Sequence, residues 1–237
     1  MSVLDKLSLE NHNLLIDADL YLFQATVASE ETICWDEDGD IWSLRADLKQ
    51  AKKSFTERLE SFKRRLDGGE VLLCFTTGSN FRKTVYEPYK SNRKKTRKPV
   101  GYVHMVGWAM EQWPSITVDT LEADDIMGIL QSAPGYETVV VSDDKDLLGI
   151  PGTVYRPMKD EIIDVSLPEA DAWFLKQCLM GDSTDLDVTQ AELLRHIGGE
   201  LAHKIWPQMS PPDREFLISG VTPQEWDEAF RCEGCEE

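Results

Sequence analysis

Carboxylates recur in this 237-residue sequence just after apolar runs, where acids able to hold a cation could be gathered. Asp17 closes the run NLLID; Glu122, Asp124 and Asp125 crowd into LEADD; Asp144 and Asp146 follow TVVVS within DDKD; Asp182 and Asp185 share the turn GDSTD. Any one of them has an ordinary explanation, because acids at helix starts meet unpaired N–H groups and the positive end of the helix dipole. Several at one sheet edge would repel one another strongly without a cation, and oxygen-only donors suit a hard divalent ion, Mg²⁺ or Mn²⁺. The four histidines, His12, His104, His196 and His203, have no paired spacing for zinc, and the lone pair Cys232 and Cys235 lacks a second pair or a nearby histidine.

Opposite charge is concentrated in one place. Between Arg82 and Lys98 stand eight basic residues, Arg82, Lys83, Lys90, Arg93, Lys94, Lys95, Arg97 and Lys98, against one acid, Glu87. The whole chain carries a net charge of −18, which argues against a general nucleic-acid coat and makes this segment a local exception. Phe81, Tyr86 and Tyr89 are interleaved with the basic side chains. Aromatic rings stack on bases while Lys and Arg hold phosphates, so the pattern suits a single-stranded nucleic acid. A carboxylate site for two metal ions beside a phosphate-binding element is the combination that cleaves phosphodiesters.

Such acids need a scaffold that delivers them to one edge. The sequence predicts buried strands over 13–18 and 70–76, shorter strands in SITVD and ETVVVS, and a hairpin over 31–43 around an acidic turn. Leu44, Leu48, Ala51, Phe55, Leu59, Phe62 and Leu66 recur at helical spacing until Gly68 and Gly69. Further helices are predicted over 102–112, closed by Pro114, in LEADDIMGILQS, over 167–180 with Trp173, Leu175 and Leu179 facing inward, and over 223–230. Residues 152–165 read as a strand or hairpin. Strands alternating with helices give an α/β fold with a mostly parallel central sheet flanked by helices, and ligands bind beyond the C-terminal ends of its strands. No apolar run is long enough to span a bilayer, and the first residues have no basic-then-apolar leader. Five scattered cysteines, an odd number, suit a reducing compartment, so a cytoplasmic protein is expected.

Six motifs in order, LLIDAD, FTTGSNFRK, YKSNRKKTRKPVGY, LEADDIMG, SDDKDLLGIPG and GDSTD, carry a family resemblance. The chain resembles the 5′→3′ exonucleases of short-tailed bacteriophages, within the flap endonuclease superfamily that includes the 5′-nuclease domains of bacterial DNA polymerases. The resemblance runs from about Leu14 to Asp185, with a weaker echo to Ile205. It implies a PIN-like 5′-nuclease fold with a helical arch at about 82–100 that threads a 5′ single strand. It implies a nuclease domain over 1–207, a partial helix-hairpin-helix-like region at about 181–206, and a short helical tail over 208–237.

The same resemblance implies the site. Asp17, Glu122, Asp124 and Asp125 would hold a first metal; Asp144, Asp146, Asp182 and Asp185 stand on the side of a second. Lys90 and Arg93 would grip the scissile phosphate and complete a catalytic set with Asp17, Asp124 and Asp144. Arg82 falls at the arch base, and Lys83, Tyr89, Lys94, Lys95, Arg97 and Lys98 belong to the DNA-binding stretch. Two departures stand out: Phe75-Thr76-Thr77 replaces the family's FTD, removing an acid from the first metal site. After Asp185, Leu186 to Gln190 replaces the first half of the hairpin with which relatives grip duplex DNA.

The expected activity is metal-dependent 5′→3′ hydrolysis of DNA by two ions, with flap or RNase H-like cutting as side activities and 5′-phosphate products. The expected partner is DNA with a 5′ end or flap, acted on by a monomer in phage replication or recombination, inside an infected bacterial cell. Two alternatives remain from other classes. One is a non-catalytic or impaired DNA-binding homologue with its first metal site weakened at Thr77; the other is an RNA-cleaving PIN-like domain.

Overall fold

The computed structural model describes residues 4–8, 11–35, 38, 40–85, 97–180, 192, 195, 196, 198–209 and 214. The chain divides into two compact units, Met1–Val165 and Ser166–Glu237, a division that falls inside the expected 1–207 domain.

The first unit is built on six strands in the order β5-β4-β1-β6-β7-β8: β1 Asn13–Asp17, β4 Glu70–Cys74, β5 Ser115–Ile116, β6 Thr138–Val141, β7 Gly152–Arg156 and β8 Glu161–Val165. All neighbours pair in parallel except β7 and β8, which form an antiparallel hairpin. β1 lies between β4 and β6, and all five of its residues are buried. A strand covered on both faces reads as a near-continuous apolar run, which is why Leu14, Leu15 and Ile16 precede the first acid, while the buried Asn13 amide donates to Ser8 O and Glu137 O.

Alternation along the strands separates two cores. Leu14 and Ile16 of β1, Val71 and Leu73 of β4, and Val141 and Tyr155 join a cluster with residues of α1 (Ala18–Val27), α2 (Leu48–Arg65) and α4 (Tyr102–Gln112). Leu15, Leu72, Val140 and Val154 are also buried but occupy intervening positions, so they face the opposite side. There α5 (Ala123–Gln131) packs on β1, β4 and β6.

The hairpin appears as β2 (Glu30–Cys34) and β3 (Trp42–Ala46), with Trp35 and Trp42 exposed. β3 corrects one expectation: Leu44, read as the first rung of the long helix, is a strand residue paired with Thr32. Asp47 ends the strand and caps α2, its carboxylate accepting from Lys49 N and Gln50 N at 3.0 Å each. At the other end of α2 the chain turns through Gly69 at φ +108°, and a Cβ there would stand 2.7 Å from His12 Nε2. The strand expected in SITVD is shorter than read, since only Ser115 and Ile116 pair with β4.

In the second unit α6 spans Leu167–Met180 and α7 spans Ala202–Ile205. Ala172, Ala202, Ile205 and Trp206 form its buried cluster. Trp173 is half-buried but Leu175 is exposed, contrary to the inward face expected of it; the small Ala170 and Ala172 take buried positions instead. The side chain of Leu179, the helix expected over 223–230 and the Cys232–Cys235 pair lie outside the described residues. Among the described residues no helix is long and apolar enough to cross a membrane.

Candidate active site

The acids of the first unit meet at the C-terminal edge of its parallel strands. Asp17 is the last residue of β1 and caps α1, its Oδ1 accepting from Leu20 N at 3.2 Å. Its Oδ2 accepts from the buried Ser142 hydroxyl, just past β6, at 2.7 Å. Burial raises the Asp17 carboxyl from 3.8 to about 6, against the lowering effect of the Ser142 and Leu20 hydrogen bonds and aided by the negative charges of Asp19 and Asp144. Three carboxylates therefore share one field.

Ser142 organises the next loop as well. Its Oγ accepts Asp144 N at 3.1 Å, and Asp144 Oδ1 accepts Asp146 N at 2.9 Å, starting the short 3₁₀ helix Lys145–Gly149. Asp143 points to a different task. It accepts from Tyr21 Oη at 3.3 Å and from Met158 N at 2.8 Å, fixing the β7–β8 turn.

On the other side of the edge, Glu122 and Asp125 form a reciprocal capping box at the start of α5. Thr76, after β4, accepts Ala123 N on its hydroxyl at 3.1 Å and so ties this helix start to the strand end. Glu122, Asp124, Asp125, Asp144 and Asp146 line one cavity of about 860 Å³, with Arg82 on its wall and Leu121, Leu147 and Ile150 at its apolar margin. Buried Cys74, the last residue of β4, has its thiol pushed up by burial and by Asp17, Asp124 and Asp19, which places those acids around the same strand end.

Two positions changed meaning. Asp19, not singled out from sequence, accepts from Thr76 N at 2.8 Å and Tyr102 Oη at 2.9 Å, bridging β4 and α4 next to Asp17. Its signal was present in the spacing D-A-D. Thr77 turns its hydroxyl toward Ser79 O at 3.0 Å and so braces its own loop.

The basic segment is described only at its feet. Its first foot is α3 (Arg82–Val85), where Lys83 is exposed. Arg82, expected on DNA, makes a two-pronged contact with Asp125 at 2.7 and 2.6 Å. At the second foot Arg97, also expected on DNA, holds both oxygens of Glu30 at 2.8 Å, and Lys98 Nζ lies 5.2 Å from the centre of the Tyr102 ring. Tyr89, Lys90, Arg93, Lys94, Lys95, Asp182 and Asp185 lie outside the described residues.

The donor chemistry fits a hard divalent cation: all of the gathered groups are carboxylates, with no thiolate or imidazole among the cavity residues. Glu122, Asp124, Asp125, Asp144 and Asp146 of the cavity lining, with Asp17 at the adjoining strand end, are the carboxylates that would hold such ions. Among the described residues, no three side chains of ligating type converge tightly enough to form a finished coordination sphere. Arg82 instead stands against Asp125 and, at 3.7 Å, Glu122.

A mostly parallel sheet with a carboxylate-lined cavity at its C-terminal edge and Arg82, the first foot of the basic segment, on the cavity wall defines a class, and comparison with known proteins gives the family. The family model of the 5′-3′ exonuclease N-terminal, resolvase-like domain matches residues 12–166. The chain belongs to this family. It is 34% identical over 183 residues to the exodeoxyribonuclease of Enterobacteria phage T3, and 33% identical over 183 residues to the exonuclease of Escherichia phage T7. Each match covers 73% of this chain and 60% of the relative, so it spans about three-fifths of the relatives' length. A bacteriophage T5 protein co-crystallised with metal ions superimposes with a TM-score of 0.59 at 14% identity, over 92% of this chain and 85% of that one. The T5 flap endonuclease in a pseudo-enzyme–product complex with DNA and metal ions gives 0.58 at 12% identity over the same shares. At such identities the likeness establishes the fold, a mostly parallel sheet with flanking helices.

Proposed function

We propose that this protein hydrolyses DNA phosphodiesters from a 5′ end, using Mg²⁺ or Mn²⁺ at a two-ion site. The observation that carries the reading is the gathering of Glu122, Asp124, Asp125, Asp144 and Asp146 around one cavity, beside the foot of the basic segment. The phage exonuclease relatives support it, as do T5 structures described with metal ions and DNA.

Divalent ions at such a site lower the pKa of a water and stabilise charge on the attacked and departing oxygens. The protein's own part is placement. Asp17 is held by Ser142 and Leu20, Asp144 is held through Ser142, and Glu122 is fixed by its cap on α5, so the carboxylates are oriented before substrate arrives. Lys90 and Arg93 neutralise the phosphate as negative charge develops on it. Acids elsewhere on the chain repel the strand, while the basic segment grips it. The setting we propose is phage replication or recombination in the cytoplasm of an infected bacterium, by a monomer, with flap or RNase H-like cutting as secondary activities.

End-labelled duplex, 5′-flap and single-stranded DNA, incubated with Mg²⁺, Mn²⁺ or chelator, test the proposal. Ion-dependent release of short products from the 5′ end is expected; release that persists in chelator would overturn it. A second reading, an impaired DNA-binding homologue, draws on the neutral Thr77, whose hydroxyl is committed to Ser79. It requires binding of the same DNA without cleavage in either ion.

A further inference from the structure

Arg82 is held from three sides. Its two terminal nitrogens meet the two oxygens of Asp125 at 2.7 and 2.6 Å, and Glu122 Oε2 lies 3.7 Å from Nη1. The Phe81 ring lies 4.8 Å from the guanidinium carbon. Asp125 Oδ2 also accepts Glu122 N at 2.9 Å, so the ion pair is continuous with the cap of α5. Planar two-pronged contacts of this kind are the strong form of an arginine–carboxylate pair.

Side-chain exposure is 32% for Arg82, 19% for Asp125 and 10% for Glu122, so the acids are the more desolvated partners and the guanidinium is on the solvent side. The same three residues line the cavity with Asp124, Asp144 and Asp146. A divalent ion on Glu122 would place two positive charges within a few ångströms of the guanidinium, a strong repulsion in a partly desolvated site. Arg82 is the first residue of α3 and its side chain is partly exposed.

We propose that Arg82 is a built-in counter-cation, a positioning residue that competes with the divalent ion for Glu122 and Asp125 and turns to a DNA phosphate when the ion enters. The inference rests on the divalent-ion nuclease reading above and adds a coupling to it. In the ion-free state Arg82 neutralises the acids and keeps the α5 start in place. With the ion bound, the guanidinium is available to the substrate. By linkage, DNA that captures Arg82 tightens ion binding by the same factor that the ion tightens DNA binding.

The test is a titration of the full chain with Mn²⁺ alone, free Mn²⁺ being read by electron paramagnetic resonance, for wild type, Arg82→Gln and Arg82→Lys. Arg82→Gln is expected to bind Mn²⁺ about five- to tenfold more tightly than wild type. Arg82→Lys, which keeps the charge but loses the planar fork, is expected to bind about two- to threefold more tightly. A side chain that only braced the fold would give the opposite sign, weaker Mn²⁺ binding. A phosphorothioate single strand supplies a second readout: Arg82→Gln should lose affinity for it in Mn²⁺ by a clearly larger factor than in chelator. Equal or weaker Mn²⁺ uptake by Arg82→Gln, or an equal loss of strand affinity in both conditions, would overturn the inference while leaving the nuclease reading intact. If Arg82→Gln does not fold, unchanged or weaker uptake by Arg82→Lys overturns it. A wild-type protein that takes up no Mn²⁺ overturns both.

Discussion

Replacing Asp17 by Asn should make the metal-free protein more stable, although it removes a carboxylate proposed to hold an ion. The carboxyl is raised from 3.8 to about 6, first by burial and then by the neighbouring charges of Asp19 and Asp144. A gap of about two units corresponds to about 3 kcal/mol of folding free energy lost once the group ionises. Because the folded protein holds this proton more tightly than the unfolded chain, the group's contribution is most favourable below 3.8 and falls away as pH rises to about 6. Asn is nearly isosteric, but its amide replaces one of two accepting oxygens, those bonded to Leu20 N and the Ser142 hydroxyl. That exchange costs about 1 kcal/mol.

The net expectation for Asp17→Asn in chelator is a gain of about 1–2 kcal/mol near pH 8, shrinking to zero or a small loss near pH 4.5. Urea unfolding at the two pH values measures it, and the wild-type-minus-variant difference cancels the titration of the other acids. With Mn²⁺ added the order should reverse, because wild type gains binding free energy that the variant lacks. A variant less stable than wild type at pH 8 in chelator, or a difference that does not change with pH, would refute the reasoning. The buried carboxylate would then be compensated by contacts other than the two identified.

Three further outcomes follow from single contacts. Thr77→Asp should lower the Mn²⁺ concentration for half-maximal cleavage and, in chelator, reduce stability by about 1 kcal/mol, since it adds a charge and breaks the bond to Ser79 O; an unchanged ion titration would show that this strand end does not face the ions. Tyr102→Phe removes the donor to Asp19 at 2.9 Å and should cost about 1 kcal/mol in thermal or urea unfolding, with a neutral effect arguing that water replaces the hydroxyl. Gly69→Ala combines φ +108° with a Cβ 2.7 Å from His12 Nε2 and should cost about 2 kcal/mol or more, measured in the same way.

Most of the sheet was legible because strands buried on both faces read as near-continuous apolar runs, as LLI and VLLC do. Asp17, Asp144 and Asp146 drew notice in the sequence because they close or follow such runs. Leu44 was misread because apolar residues two apart in β3 continue smoothly into the helical spacing of Leu48 and Ala51, and the capping role of Asp47 is the local feature that separates them. Two acids were mis-weighted for another reason. Asp19 and Asp143 flank chosen positions, and sequence alone does not say which of two close carboxylates turns to the cavity and which to a backbone N–H. The structure divides the tasks: Asp143 serves the β7–β8 turn, whereas Asp19 reaches across to Thr76 and Tyr102. The basic feet were legible as charge but not as ion pairs, because Glu30 and Asp125 meet them only through the fold.

Those ion pairs bear on how an acidic protein can work on a polyanion. Arg82 is held by Asp125 and Arg97 by Glu30, so both feet of the basic segment are moored by carboxylates of the folded body. Tyr102, close behind the second foot, is also bonded to Asp19 beside Asp17. The moorings differ in kind. Glu30 has no place in the cavity, and its pair with Arg97 can persist through a reaction; Asp125 lines the cavity, and its pair with Arg82 is exposed to whatever cation enters. On the inference drawn above, the Arg97 foot would stay fixed and the Arg82 foot would respond to the ion. On the proposals made above, a DNA strand would meet the charge of Arg82 only once the ions are present, which would tie DNA engagement to catalytic readiness through charge balance alone.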